Sequence, residues 1–288
     1  MFWQAVLSGI AMGCIYALVA LGFVLIYKAT DVVNFAQGDL MMVGAFFAFT
    51  LINFLHLPFI LSFVLALAAM AVLGALIERL VLRPLVGEEA FAIIMATIGL
   101  GILLRSAAGM IWGYDTYKFS AGLTNDPVRI GGLVLSSAQI WIIASTVFLI
   151  VSLHLFFNRT RVGISMEAAS QNQLAAFLMG VSVKRVFSSI WAIGAVAAAV
   201  AGIFLTPIQF LNYNMGMIGL KAFPAAVLGG FGSVPGAIVG GVIIGVSESL
   251  AGIYLPQGYK NVLAWIILIV VLMFRPEGIF GQTARKRV

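Results

Sequence analysis

Phe2–Tyr27 is a stretch of 26 residues without a single Asp, Glu, Lys or Arg. About 20 predominantly apolar residues suffice for a helix to cross the roughly 30 Å hydrocarbon core of a bilayer. A cleaved secretory leader would begin with a basic region and hold a shorter apolar core. No Lys or Arg precedes this stretch, so it is expected to be the first membrane helix. Charge-poor apolar stretches recur at Leu40–Leu57, Phe59–Ile77, Phe91–Ile111, Leu133–Phe157, Val186–Leu205, Pro224–Leu250 and Val262–Phe274. In hydrocarbon every backbone N–H and C=O needs an internal partner, which leaves helices or closed barrels. These runs are too long and too continuous for barrel strands of about 10 alternating residues. The expected fold is therefore an all-α, polytopic membrane helix bundle with about seven to eight transmembrane spans.

Composition supports that reading and narrows the function. Of the 288 residues, 62% are hydrophobic and only 9% charged, whereas soluble domains carry about 25% charged residues. A soluble enzyme is excluded. One cysteine, Cys14, and two distant histidines, His56 and His154, offer neither a disulfide framework nor a convincing metal centre. The net charge of +6 comes from basic residues spread between the apolar runs, so topology explains it better than nucleic-acid binding. The longest polar intervals, Trp112–Gly132 and Asn158–Arg185, are too short for a soluble domain, and residues 1–288 are expected to form a single transmembrane domain. No Gly-x-x-x-x-Gly-Lys-Ser/Thr phosphate loop is present, so any ATP hydrolysis must come from another chain.

Lys and Arg accumulate in cytoplasmic loops. Sorted by alternate loops, Lys28, Arg79, Arg83, Arg159, Arg161, Lys184, Arg185, Arg275, Arg285, Lys286 and Arg287 fall on one side, against Lys118, Arg129, Lys221 and Lys260 on the other. The first side is expected to be cytoplasmic, with the N-terminus outside. Eight full crossings would then return the basic tail to the outside, so one run is expected not to cross. The suspect is Pro224–Leu250, which contains Gly229, Gly230, Gly232, Ser233, Pro235 and Gly236. Glycine costs about 1 kcal/mol in a helix interior and proline about 3 kcal/mol, which predicts two half-helices there. The competing reading is that Gly232, Gly236 and Gly240, at four-residue spacing, permit tight helix packing. The short polar segment Asp31–Asp39 could dip into the bundle as a second interruption.

No catalytic constellation emerges. The carboxylates Asp31, Asp39, Glu78, Glu88, Glu89, Asp115, Asp126, Glu167, Glu248 and Glu277 are expected in loops or at span ends, and Glu88-Glu89 in a solvated turn. Only Arg105 lies clearly within a span, where it would line a pore or bind a substrate carboxylate, or else snorkel to the outer interface. Such a scarcity of buried ionisable groups argues against a proton-coupled carrier. Between Arg161 and Arg185, Ala168, Ala169, Leu174, Ala175, Ala176 and Leu178 recur at helical spacing. That predicts a short helix ended by Gly180. With Phe177, Leu178 and Met179 exposed, it would either dock in a protein groove or lie flat on the membrane.

Glu167-Ala168-Ala169 followed by Gly180 resembles the docking loop of ABC importer permeases. Three further segments narrow the match: Val33–Asp39 with Gly44-Ala45, Gly219–Ala237, and Arg275–Gly281. Together these resemble the LivH-type permeases of branched-chain amino acid ABC transporters, over essentially the whole chain. The resemblance implies a bacterial inner-membrane, multi-pass importer subunit that pairs with a second, related permease. Two cytoplasmic ATPase subunits would bind and hydrolyse ATP, and a periplasmic or extracellular substrate-binding protein would deliver cargo. It also implies that this chain forms half the path and holds no cofactor of its own. Residues 158–185 would form the cytoplasmic coupling loop, with Glu167, Ala168, Ala169 and Gly180 as coupling residues. A path for a zwitterion with an apolar side chain needs backbone dipoles and neutral polar groups. Asn34, Gln37, Gly229, Gly230 and Ser233 are the candidates, against the alternative that the polar ones brace helix ends. Urea, short amides or other amino acids are alternative cargoes, and a stand-alone carrier or channel is the rival class.

Overall fold

The computed structural model describes residues 2–118, 127–130, 133–256 and 258–281. Arg285, Lys286 and Arg287 lie outside them. Among the described residues six helices are long and apolar enough to span a bilayer. They are α1 (Phe2–Thr30), α3 (Phe59–Ile77, extended by a π-helical turn Glu78–Leu82 and a 3₁₀ turn Arg83–Leu85), α4 (Ala90–Trp112), α5 (Ser137–Arg159), α8 (Val183–Leu205) and α11 (Val234–Tyr254). The 23-residue α4, α5 and α8 are each roughly 35 Å long at 1.5 Å per residue, enough for a full crossing. Shorter helices complete the bundle: α2 (Gln37–Asn53), α6 (Arg161–Gln171), α7 (Gln173–Leu178), α9 (Gly216–Leu220), α10 (Ala222–Gly229) and α12 (Tyr259–Phe274). The expected membrane helix bundle is observed.

Burial orders the helices. Every residue of α1 from Gly13 to Ile26 is buried, which makes α1 the axis of the bundle. Its apolar surface runs all round, the pattern of a helix with no solvent face. α11, α8, α10 and α5 pack around it, α2 and α3 pack on α8, and α4 packs on α2. In the most apolar windows of α3, α4 and α5 only 28%, 22% and 17% of residues are buried, so these helices form the outer wall. α1 and α11 approach through glycines: a Cβ on Gly245 would lie 2.3 Å from the Gly13 nitrogen. Small residues at such a crossing let backbones come close enough for extensive van der Waals contact.

Two departures from the sequence reading concern local structure. Leu133–Ser136, expected at the start of a helix, is strand β2, paired antiparallel with β1 (Pro127–Ile130). β-branched and leucine residues can serve either state, and the helix begins instead at a strong start signal further on. Ser136 Oγ accepts from the Gln139 backbone N–H at 3.3 Å while Gln139 Oε1 accepts from the Ser136 N–H at 3.0 Å, a capping box that fixes the start of α5. The second departure lies at Asp31–Ala36, which is not an interrupted helix but a non-helical segment that enters the bundle before α2 begins.

Cross-contacts sort the helix ends. Lys28, Arg83, the α6–α7 segment and Arg275 gather at one end, where Ile279 N–H donates to Leu228 O at 2.8 Å and Phe280 N–H to Gly229 O at 3.1 Å. The opposite end joins Tyr117 to Leu211, Gln139 to Ser8, Ser249 to Ala5 and Trp112 to Thr50. α1, α2, α3, α4, α5, α8, the α9–α10 pair, α11 and α12 therefore alternate in direction. The chain starts at the second end and leaves α12 at the first. The expectation that Pro224–Leu250 would fail to cross is corrected: the run folds into a hairpin of α10 and α11, and residues before it make an additional pass. Adding a pass preserves the same parity as removing one.

Candidate translocation and coupling elements

The hairpin forms because the sequence stops one helix and starts another within four residues. Gly230 closes α10 at φ +97°, a conformation that side chains disfavour. Ser233 then caps α11, its Oγ accepting from the Gly236 N–H at 3.1 Å, and Pro235 occupies the first turn, where its missing N–H costs nothing. Glycine packing, the competing reading, also holds, at Gly236 and Gly240 but not at Gly232. A Cβ on Gly240 would lie 2.1 Å from Ala225 O across the hairpin, whereas Gly232 has nothing within 4 Å.

Asn34 and Gln37 are fully buried. Asn34 Oδ1 accepts from the Ala36 N–H at 3.1 Å, its Nδ2 donates to Gln37 Oε1 at 3.2 Å, and Gln37 Nε2 donates to Gly194 O of α8 at 2.9 Å. In this conformation their hydrogen bonds brace the start of α2. Two cavities lie toward the end that carries α6 and α7. One of about 290 Å³ is lined by Asn34, Thr97, Glu78, Asp31 and Trp191 among others, and one of about 610 Å³ by Ser233, Pro235, Lys28, Glu167 and Phe280 among others. The path candidates are thus divided. Asn34 faces the first cavity and Ser233 the second, while Gln37, Gly229 and Gly230 line neither.

The segment expected to be one short helix ended by Gly180 is two helices, α6 and α7. Asn172, at φ −155° and ψ 101°, ends α6 and caps α7, its Oδ1 accepting from the Ala175 N–H at 2.9 Å. Asn competes with helix by bonding its own backbone, which explains a break inside an Ala-rich run. Gly180 ends the segment as expected: at φ +85° it donates its N–H to Phe177 O at 2.9 Å, and Val181 N–H reaches Ala176 O at 3.0 Å. These two bonds are the Schellman pattern. Leu174, Phe177, Leu178 and Met179 are 65% to 85% exposed. Glu167 meets Lys28 of α1 at 2.6 and 2.7 Å, Ala169 is buried beneath α6, and Ala168 is exposed. Gln173 Nε2 donates to Ala29 O at 3.3 Å, so both short helices are tied to the end of α1.

Three of the carboxylates expected in loops or at span ends do lie near helix ends, but they are buried and ion-paired rather than solvated. Asp39 takes a two-pronged contact from Arg105, with Nη2–Oδ1 at 2.9 Å and Nε–Oδ1 at 3.1 Å. Arg105 is thereby paired with a carboxylate of this chain, at the start of α2. Glu78 accepts from Arg83 Nη2 at 2.7 Å and Ser188 Oγ at 2.5 Å. Glu248 faces Lys221 at 3.1 Å, which places Lys221 inside the bundle rather than in the outer loop. For Asp39–Arg105 and Lys221–Glu248 the signal was present as opposite charges stranded in separate apolar runs. An isolated charge at that depth is costly, so each demanded a partner.

Residues 5–272 match the family described as branched-chain amino acid transport system, permease component. The chain belongs to that family. The BraD permease of the high-affinity branched-chain amino acid transport system of Pseudomonas aeruginosa is 32% identical over 302 residues, covering 100% of this chain and 98% of the relative. The LivH permease of the corresponding Escherichia coli K12 system is 33% identical over 306 residues, with the same coverage. A probable LivH permease of Methanocaldococcus jannaschii is 31% identical over 287 residues, 93% of this chain and 89% of its own length. As a permease component of this family the chain is a multi-pass membrane protein, a transport subunit rather than an enzyme, and works with ATPase and binding-protein partners.

Proposed function

We propose that this chain is one of two related permease subunits of an ABC importer for branched-chain, apolar amino acids in the bacterial inner membrane. It supplies half the path. One of two ATPase subunits docks on its α6–α7 segment, which faces the cytoplasm by the excess of Lys and Arg at that end, and a periplasmic or extracellular binding protein presents cargo at the other.

The observation that carries this reading is the α6–α7 segment itself. It presents Leu174, Phe177, Leu178 and Met179 on an unpaired tip and is bolted to the central helix by Lys28–Glu167 and Gln173–Ala29. Force applied to the tip reaches α1, and through the glycine crossing it reaches α11 and the hairpin. Neutral polar groups at Asn34, Gln37 and Ser233 suit a zwitterion, whose net charge is zero. The Gly229-Gly230 turn joins α10 to α11 beside the second cavity. Glu167, Ala168, Ala169 and Gly180 shape the docking segment.

Reconstitution in proteoliposomes with the partner permease, the ATPases and the binding protein tests this directly. Leucine uptake should require ATP and all partners. Leucine flux through the purified chain alone, with no nucleotide, would overturn the proposal in favour of a self-sufficient carrier.

A further inference from the structure

The Gly219–Ala237 stretch contributes Lys221, a residue the path and docking surfaces leave without a role. Lys221 stands at the joint between α9 and α10. Its Nζ donates to Asn261 Oδ1 of α12 at 3.0 Å and lies 3.1 Å from Glu248 Oε1 of α11. Glu248 is 2% exposed, about two turns before the end of α11, and its other oxygen accepts from the Tyr16 hydroxyl of α1 at 2.6 Å. One four-residue network thus ties the joint to α1, α11 and α12. Lys221 and Glu248 therefore form an ion pair at 3.1 Å, with Glu248 also held by Tyr16.

The other end of α9 rests against a second ionic pair. A Cβ on Gly216 would lie 2.3 Å from Asp39 Oδ1, the oxygen that Arg105 grips. Between the two pairs α9 lies on bare backbone: a Cβ on Gly219 would be 2.5 Å from Gly38 Cα. Interdigitated side chains resist sliding because interiors are packed densely. Here they are absent from the Gly38–Gly219 contact, and charges do the pinning.

We propose that Lys221 and Glu248 are positioning residues for translocation: they hold the α9–α10 joint in one of two settings and release it when the ATPases drive the bundle to the other. Burying a charge pair in hydrocarbon is a poor way to gain stability, since well-packed apolar residues do as well or better. It is a good way to make two discrete settings of one element differ in energy. The inference rests on the permease reading and adds to it a named moving part.

The test uses the full complex in proteoliposomes, with leucine uptake and ATP hydrolysis measured in the same vesicles. The neutral double variant Lys221→Met/Glu248→Gln removes the pair without stranding a charge. Leucine moved per ATP should fall about tenfold or more, the scale of a typical coupling energy, while ATP hydrolysis without substrate rises. Lys221→Arg should retain coupling. Wild-type coupling in the neutral double variant would overturn the proposal. A second measurement needs no variant and no cargo: amide hydrogen exchange over residues 216–230 should differ between the nucleotide-free complex and the vanadate-trapped one. Equal protection in both states would overturn it as well. A wild-type complex that hydrolyses ATP but moves no leucine would instead count against the cargo reading, and the exchange data would still decide the joint.

Discussion

Gly229 and Gly236 close the α10–α11 hairpin backbone to backbone, since a Cβ on Gly229 would lie 2.1 Å from Gly236 O and a Cβ on Gly236 would lie 2.2 Å from Gly229 O. Neither carbonyl can give way, because each belongs to a helix packed on other helices. Gly236→Val should therefore lower stability by about 3 kcal/mol or more, the upper range for overpacking. Gly232→Ala, with nothing within 4 Å, should stay within about 0.5 kcal/mol. Thermal unfolding of the two variants in one detergent checks the contrast. Equal midpoints would mean that the hairpin is looser than this contact implies.

Gly230 answers to a different constraint. Its φ of +97° excludes a side chain on backbone grounds, and a Cβ would also meet Gly281 N at 2.8 Å and Glu277 O at 2.9 Å. The segment after α12 is thereby clamped against the hairpin turn. Gly230→Leu should displace that segment as well as impair uptake. Limited digestion with a glutamate-specific protease reports it: cleavage after Glu277 should be faster in the variant than in the wild type by about the 5- to 30-fold that 1–2 kcal/mol of local opening gives. Unchanged cleavage would show that the turn tolerates the strain without moving its neighbour.

Asp39 and Arg105 make a third contrast. Asp39→Asn strands a guanidinium among apolar helices and should cost about 3–5 kcal/mol, whereas Asp39→Leu with Arg105→Met should recover most of that loss. The measurement is the unfolding midpoint of each variant in a fixed lipid–detergent mixture. A neutral Asp39→Asn would show that water, not Asp39, satisfies Arg105.

The helices were legible because their signal is long and local. α3 starts and stops at Phe59 and Ile77, where the apolar run does, and α4 and α12 differ from their runs by one to three residues at the N-terminal side. The Gly230 turn and the Gly180 stop were legible for the same reason: each is a backbone property of one residue. What the sequence concealed is relational. Asp39 and Arg105 are separated by 66 positions and Tyr16 and Glu248 by 232, so their pairing is a consequence of helix packing that no local window contains. The break at Asn172 sat inside an Ala-rich run, where propensity outweighed a single capping residue in the reading but not in the chain. The path candidates fared differently again. Asn34 and Gln37 are polar residues in an apolar context, which marks them out, but bracing a helix start and lining a route leave the same mark on a sequence.

The exposed α7 tip separates folding from function most cleanly. Leu178 is 75% exposed and Phe177 65%, and both lie on α7 with little of the bundle beneath them. Leu178→Asp should therefore leave the unfolding midpoint of the isolated subunit within the small range of surface substitutions, about 0.5 kcal/mol. In the complex the same change would bury an unpaired carboxylate in an apolar groove. Loss of an apolar anchor at the centre of an interface costs about 2 kcal/mol or more, roughly a 30-fold weakening, and the buried charge adds to it. Lys28→Met is the informative companion. Its ion pair with Glu167 is partly exposed, at 30% and 42% for the two side chains, so its direct worth is at most about 1 kcal/mol. Lys28→Met should leave ATPase binding intact and lower only the leucine moved per ATP, with the wild-type coupling ratio itself falling as salt screens the pair. Co-purification of the ATPases with each variant, read beside the coupling ratio, distinguishes a surface that is gripped from a link that transmits. If Leu178→Asp retained the ATPases at wild-type strength, the α7 tip would not be the place they hold.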